Sequence, residues 1–179
     1  TFSDLLSTKD HFLYNILIAT SVKEALEKFN AKNIKFKWPN DIFYKESKFC
    51  GMISEIFQNN NLESYMIIGF GINVDSSPKL ENYSLTHLKS FCDVQGSHEF
   101  LFVFFTIFFN NLKKLVNNQF ENLIIDFKES LMFKNEYINI LLPDNTLVSG
   151  IFKDINSDGS LILNNKNQIK NIYNGSIKI

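Results

Sequence analysis

The apolar positions at the start of the chain follow first a helical and then a strand period. Between residues 11 and 29 apolar side chains recur mostly every three or four positions, which predicts an amphipathic helix ending near Asn30. In residues 34–38 apolar side chains alternate with lysines, the pattern of a strand. Pro39 cannot donate a hydrogen bond to a neighbouring strand, so we expect the chain to turn there.

A hairpin and a further strand are predicted next. The arms of the hairpin are residues 42–44 and 48–56, joined by a short polar turn. Residues 65–74 are almost entirely apolar or glycine, which is typical of a strand buried on both faces. The helical period then returns over residues 85–133, where two or three helices are broken near Gly96 and near residues 117–118.

The longest apolar run of the chain is residues 100–109, interrupted by a single Thr. A membrane-spanning helix needs about 20 apolar residues, so this run is too short to cross a bilayer. We therefore predict a buried core helix here and no membrane partner.

Short strands follow from residue 135 to the end of the chain. Five are predicted, separated by turns rich in Asn, Asp and Gly, at residues 137–142, 146–155, 160–163, 169–173 and 176–179. Five short strands in so few residues predict a small SH3-like β-barrel. The fold class is therefore α+β, a mixed sheet with flanking helices followed by the barrel, with a domain boundary near Lys134 that gives domains 1–134 and 135–179.

Composition excludes several classes of protein. The net charge is −1 and every basic residue is a lysine, so the chain lacks the strongly basic surface of a nucleic-acid-binding protein. Its two cysteines, Cys50 and Cys92, form no CxxC pair, which favours a reducing cytoplasm and excludes a zinc cluster built on cysteines.

Three motifs contain the candidate chemistry. The first is Lys37-Trp38-Pro39-Asn40-Asp41 at a strand end, the second is Lys48-Phe49-Cys50-Gly51-Met52, and the third is Gly69-Phe70-Gly71-Ile72-Asn73. Together they offer two lysines, a carboxylate, an amide and glycines that let a ligand approach the backbone. This set suits a polyanion accompanied by a divalent metal ion.

In order and spacing these motifs closely resemble those of biotin–protein ligases, and the terminal barrel with its closing Asn174-Gly175-Ser176-Ile177 agrees with them. The resemblance implies a catalytic core like that of class II aminoacyl-tRNA synthetases. It implies a ligase that activates biotin with ATP and Mg²⁺ to biotinyl-5′-AMP and transfers biotin to a lysine of a biotin carboxyl carrier protein. It leaves open whether the protein is a monomer or a homodimer.

The resemblance also assigns roles to individual residues. Lys48 would hold the biotin carboxylate and the adenylate phosphate, Lys37 would contact ATP phosphates, and Asp41 would orient the incoming lysine or bind metal. The expected biotin contacts are Lys48, Gly51, Gly69 and Ser3. The expected ATP or phosphate contacts are Lys37, Trp38, Asn40 and Asn73, and the candidate Mg²⁺ ligands are Asp41 and Asn73.

Other interpretations stay open at this point. Trp38 could pack against the sheet, Asp41 could brace the turn, and Cys50, without a histidine nearby in the motifs, is expected to be inert. The chain could be a non-catalytic remnant that keeps the fold and biotin binding, or an acyl-adenylate enzyme of the lipoate-ligase kind. The family has a Gly-Arg-rich loop over the adenylate, and because the chain opens at Thr1 without that loop, we expect a piece of a longer protein with weak activity by itself.

Overall fold

The computed structural model of the chain describes residues 11–58, 64–80, 84–166 and 168–178. It begins with helix α1 (His11–Glu27), as the apolar period predicts, and continues into a four-stranded antiparallel sheet. The strands of this first sheet lie in chain order and are β1 (Ile34–Lys37), β2 (Asp41–Tyr44), β3 (Ser47–Gln58) and β4 (Ser64–Ile72). The predicted strand, hairpin and glycine-rich strand are thus all present.

Helices follow the first sheet. A short 3-10 helix (Leu88–Ser90) precedes α2 (Ser97–Val116) and α3 (Glu121–Glu129), so the helices break at Gly96 and at Asn117 as predicted. Helix α1 packs against both α2 and α3. An ion pair between Lys23 and Asp126 joins α1 to α3.

The C-terminal sheet contains the five predicted strands. They are β5 (Tyr137–Leu141), β6 (Leu147–Ile155), β7 (Leu161–Asn165), β8 (Gln168–Ile172) and β9 (Ser176–Lys178). The strand order is β8-β7-β6-β5-β9, so the last strand pairs with the first, and inward-facing side chains such as Ile140 and Phe152 are fully buried. The α+β class with a small terminal β module is confirmed. All named strand pairs in the described ranges are antiparallel, and two isolated bridges, Phe36 to Leu131 and Lys48 to Leu85, are parallel.

Strand β4 is not buried on both faces, and that prediction is wrong. Tyr65, Ile67, Gly69 and Gly71 alternate with less exposed neighbours, and Ile67 is 62% exposed. The strand is the last of its sheet, and only one of its faces packs on the helices, where Phe70 meets Phe104 with ring centroids 4.9 Å apart. Its glycines therefore lie on an open face, where a ligand can reach them.

The apolar run in α2 is only half buried, which corrects the prediction of a core helix. Phe100 and Phe104 are buried, whereas Phe105 and Phe109 are exposed and Phe102 is 76% exposed. Nine apolar residues in ten successive positions surround the helix, but only the face toward α1 and the sheet is covered. Among the described helices, none is long and apolar enough to cross a membrane.

Candidate functional site

The register of the first sheet places all three motifs in one row. Lys37 on β1 lies opposite Asp41 on β2, Asp41 lies opposite Gly51 on β3, and Gly51 lies opposite Gly71 on β4. Directly paired residues of a sheet project from the same face. One face of the sheet therefore presents a lysine, a carboxylate and two glycines side by side, while Ile42 and Cys50 point into the core on the other face.

A β-bulge brings Lys48 to the same face. The pairing of β2 with β3 shifts between Ile42 and Phe43, whose partners are Cys50 and Lys48, so Phe49 is the extra residue. Without the bulge, Lys48 would share the buried face of Cys50, because side chains two positions apart point the same way. Bulges are frequent next to active sites, where they redirect a side chain. Here the bulge directs Lys48 toward Asp41, with Nζ 2.5 Å from Oδ1.

Gly51 makes room for this ion pair. A Cβ atom at residue 51 would lie 3.2 Å from Nζ of Lys48, 3.3 Å from its Cε and 3.4 Å from Oδ1 of Asp41. The first two separations are shorter than ordinary van der Waals contacts, so a side chain at this position would push the end of Lys48 away by a few tenths of an ångström. The absence of a side chain at Gly51 thus leaves the space that the ion pair of Lys48 and Asp41 occupies.

Lys37 is a buried cation. Only 4% of the residue is exposed, and its Nζ lies 5.7 Å from the centre of the Phe43 ring. Burial lowers the pKa of Lys37 below its ordinary value, and the charges of Lys48 and Lys178 act in the same direction while Asp41 opposes them. Two ammonium groups and one carboxylate leave the cluster with one net positive charge, which suits an anionic ligand.

A cavity of about 480 Å³ opens beside Lys48. Its lining combines residues of the second and third motifs with residues of a segment that follows β4. The lining residues are Lys48, Phe49, Cys50, Gly51, Gly71, Asn73, Pro78, Leu80 and Leu85. The segment is anchored to Lys48 itself, because the Lys48 N–H donates to the carbonyl of Ser84 and the Thr86 N–H donates to the carbonyl of Lys48, both at 2.9 Å. The backbone of Lys48 is thus held by neighbours on two sides.

Asn73 and Gly69 extend this surface. Asn73 follows β4, lines the cavity and donates through Nδ2 to the carbonyl of Thr86 at 3.1 Å. Gly69 lies two residues before Gly71 on the same face, and a Cβ at Gly69 would meet no atom within 4 Å. Together with Gly51 and Gly71 it forms an open glycine surface suited to a flat ligand.

Two predicted nucleotide contacts, Trp38 and Asn40, have hydrogen-bond partners within the protein. Trp38 is 3% exposed and donates its indole N–H to the carbonyl of Gly159 in the C-terminal sheet, 3.0 Å away. The structure therefore favours the packing alternative for Trp38 over contact with ATP. The side-chain amide of Asn40 donates to the carbonyl of Met52, while the Met52 N–H donates back to the Asn40 carbonyl at 2.9 Å, so this residue braces β3. Ser3 lies outside the described residues.

Cys50 borders the cavity, but its side chain is buried in the core and is not a nucleophile. Burial raises the pKa of its thiol to about 12, with the charge of Asp41 adding to the rise and that of Lys48 opposing it. The thiolate is the reactive form, so a thiol with this pKa is inert at neutral pH. The expectation from the sequence agrees with this geometry.

Within the described residues no three His, Cys, Asp or Glu side chains come together as a resident metal site would require. The available oxygen donors are the carboxylate of Asp41, which is paired with Lys48, and the amide of Asn73. Mg²⁺ is commonly held by one or two carboxylates together with substrate phosphates. This donor set fits a magnesium ion that arrives with a nucleotide substrate.

Sequence reasoning missed part of the cavity wall. Gly71 lies in the third motif, and strand alternation, which puts it on the same face as Gly69, is the signal that identifies it. The apolar wall formed by Pro78, Leu80 and Leu85 had no recognisable signal, because it comes from a segment without a period. The charge of Lys178, more than a hundred residues away in sequence, could not be assigned to the site either.

Comparison with known proteins gives two family matches. Residues 2–73 match the model of the biotin/lipoate A/B protein ligase family, and residues 135–178 match that of the biotin protein ligase C-terminal domain. The bifunctional ligase/repressor BirA of Escherichia coli is 30% identical over 60 residues, which are 34% of this chain and 19% of that protein. BirA of Bacillus subtilis is 33% identical over 63 residues. The match thus spans about a fifth of the length of each of these curated relatives.

Solved structures agree on the fold. The apo structure of biotin protein ligase from Aquifex aeolicus superposes with a TM-score of 0.78 at 22% identity, covering 96% of this chain and 76% of that one. The same enzyme in complex with biotin and ATP gives a TM-score of 0.75 at 23% identity, covering 93% and 70%. At these identities the likeness establishes a shared fold.

Proposed function

Because this chain belongs to the biotin protein ligase family, we propose that it activates biotin with ATP and transfers it to a lysine of a biotin carboxyl carrier protein. The observation that supports this most directly is the row of Lys37, Asp41 and Gly51 with Lys48 folded onto it. It concentrates positive charge beside a glycine surface, where a ligand with a carboxylate and a phosphate can bind. We also propose that domains 1–134 and 135–179 act together and that the protein is cytoplasmic, which its two free cysteines support.

In the proposed first step, a carboxylate oxygen of biotin attacks the α-phosphorus of ATP and pyrophosphate leaves. Negative charge builds up on the phosphoryl oxygens, so fixed cations stabilise the transition state. The ammonium group of Lys48 has three N–H donors and can bind Asp41 and substrate oxygens together. Lys37, opposite Asp41 on β1, would add a buried positive charge close to the phosphates. Asp41 and Asn73 would be the oxygen donors for a Mg²⁺ ion bound with ATP, which would neutralise phosphate charge.

In the proposed second step, the amine of the carrier lysine attacks the acyl carbon of biotinyl-5′-AMP. An amide bond forms, the bond to the phosphate oxygen breaks, and AMP leaves. Asp41 is the carboxylate next to Lys48, so it is placed to orient the incoming amine and to accept its proton. Pro78, Leu80 and Leu85 form an apolar wall on one side of the cavity, next to the position proposed for the anhydride.

The experiment that tests this proposal is biotin-dependent exchange of pyrophosphate into ATP by the full-length protein that contains these residues. We expect exchange in the wild type and a loss of about 10²–10³-fold in Lys48→Ala, the usual effect of removing one fixed donor from a charged transition state. The matched control is Lys45→Ala, which removes an exposed lysine from the same hairpin. Equal exchange in Lys48→Ala and wild type would refute the role of Lys48.

Two alternatives have distinct outcomes in this assay. The matching family model includes lipoate ligases, so exchange driven by lipoate and not by biotin would identify that activity. The match of residues 135–178 to the biotin protein ligase C-terminal domain favours biotin. Biotin binding in calorimetry without any exchange would identify a non-catalytic remnant.

A further inference from the structure

A turn of the C-terminal sheet contacts the first sheet at Trp38, next to Lys37. The carbonyl of Gly159, between β6 and β7, accepts the indole N–H of Trp38 at 3.0 Å. Gly159 has a φ of +86°, and a Cβ there would lie 2.5 Å from Cδ2 of Phe12 on α1. Only glycine meets both the conformational and the steric demand, so the turn fits tightly against α1 and Trp38.

The turn is held together by its own hydrogen bonds. Oδ1 of Asp158 accepts from the Ser160 N–H at 2.9 Å and from its hydroxyl at 2.6 Å. The Asn156 N–H donates to the Ser160 carbonyl at 2.9 Å, and the Gly159 N–H donates to the Asn156 carbonyl at 3.0 Å. The carbonyl that binds Trp38 is therefore presented in a fixed direction.

Trp38 in turn adjoins Lys37 in the chain, at the point where β1 ends. Lys37 is buried, so its side chain has few accessible rotamers and the position of its ammonium group follows the backbone. Fixing the indole of Trp38 therefore fixes the strand end from which Lys37 extends toward Asp41. The C-terminal sheet also contributes a charge near Lys37. Burial is the main cause of the lowered pKa of Lys37, and the charge of Lys178 on β9 lowers this pKa further.

We propose that the turn of residues 156–160 is a positioning element of the phosphate-binding site, which holds Lys37 in place through Trp38. The inference rests on the proposed function for its ligand, because Lys37 is assigned there to the phosphates of ATP. Its structural part, the contact of Gly159 with Trp38, can be measured without any ligand.

The test compares wild type, Trp38→Phe, Gly159→Ala and Gly150→Ala in the full-length protein. Trp38→Phe keeps an aromatic ring but removes the N–H donor. Gly150→Ala is the matched control, because a Cβ there would lie 2.7 Å from the Asn164 carbonyl, so it strains the same sheet away from Trp38. Trp38 is the single tryptophan of the 179 residues, so the emission lost in Trp38→Phe reports the surroundings of Trp38 in the full-length protein.

We expect Trp38→Phe to weaken ATP binding in calorimetry and to raise the KM for ATP by about 10-fold, the order expected when a binding group is misplaced by a fraction of an ångström. The KM for biotin should stay within about 2-fold, because Lys48 and the glycine surface are untouched. In ligand-free protein the Trp38 emission should move to longer wavelength in Gly159→Ala and stay unchanged in Gly150→Ala.

Equal ATP affinity in Trp38→Phe and wild type would overturn the inference. It would also be overturned if Trp38→Phe and Gly150→Ala both lost affinity for ATP and for biotin to the same extent, because that result would indicate general destabilisation. If Gly159→Ala fails to fold, Trp38→Phe still decides. A wild type that binds ATP but shows no biotin-dependent exchange would refute the ligase proposal alone, and the ATP affinities of the variants would still test the positioning role.

Discussion

Replacing Gly51 by alanine tests whether the glycine serves the ion pair or only the sheet. The added Cβ would lie 3.2 Å from Nζ of Lys48, which is closer than carbon and nitrogen normally approach without a bond. The atoms in its way are the flexible end of a lysine and one carboxylate oxygen, so they can move by a few tenths of an ångström without unfolding the sheet. The change therefore displaces the reactive groups and leaves the fold in place.

The size of the effect follows from that displacement. A misplacement of about 1 Å at a reacting centre can cost about 10²-fold in rate, so a shift of about half that size should cost about 10-fold. We expect Gly51→Ala to lower biotin-dependent pyrophosphate exchange by about 10-fold, while the free energy of unfolding changes by less than about 1 kcal/mol.

The assay pairs exchange kinetics with thermal unfolding, and Gly96→Ala is the control. Gly96 is the N-cap of α2, where alanine costs stability of about 0.5–1 kcal/mol, and a Cβ there meets no atom within 4 Å. Gly96→Ala should therefore melt earlier yet keep wild-type exchange. If Gly51→Ala folds and exchanges at the wild-type rate, the steric role assigned to Gly51 is wrong.

Two further changes follow from the burial of ionisable groups. Lys37→Met should raise the KM for ATP and also raise the melting temperature at neutral pH, because a buried ammonium group costs stability. This gain in melting temperature should shrink at higher pH. Burial lowers the pKa of Lys37, so folded Lys37 loses its proton at a lower pH than unfolded lysine, which does so near 10.5. A melting temperature that falls in Lys37→Met at neutral pH would contradict this reasoning. In native protein at pH 8, iodoacetamide should alkylate the half-buried Cys92 well before Cys50, because burial raises the pKa of the Cys50 thiol to about 12. Peptide mass spectrometry measures the two rates, and equal rates would count against the burial of Cys50. Because that pKa is raised above 9.0, the neutral thiol favours the folded state below pH 9, and this contribution is lost as pH rises toward 12.

Local sequence was enough for the elements and for the residue types of the site. The helical period of residues 11–29 and the turn residues between the C-terminal strands set the bounds of α1 and of β5 to β9 to within a few positions. Lys37, Lys48, Gly51, Gly69 and Asn73 were identified because three short motifs resemble those of biotin–protein ligases. The structure places Lys37, Asp41 and Gly51 in one row, with Lys48 bonded to Asp41. These features depend on neighbours in the chain, which a linear pattern records.

Burial was predicted less well, because apolar composition does not say which face is covered. The glycine-rich strand β4 has one open face, and the phenylalanines of α2 divide between core and surface. Both depend on where the helices pack against the sheet, and that is a property of the whole fold.

The sequence by itself determined that two lysines, a carboxylate and several glycines follow strand ends in a ligase-like order. Only the tertiary structure decided which way they point. The bulge at Phe49 directs Lys48 to the open face, and Gly159, 121 residues beyond Trp38, takes the indole N–H that was expected near the nucleotide. The physical reason is that side-chain direction depends on strand register and on contacts between distant segments, and both are fixed only when the chain packs.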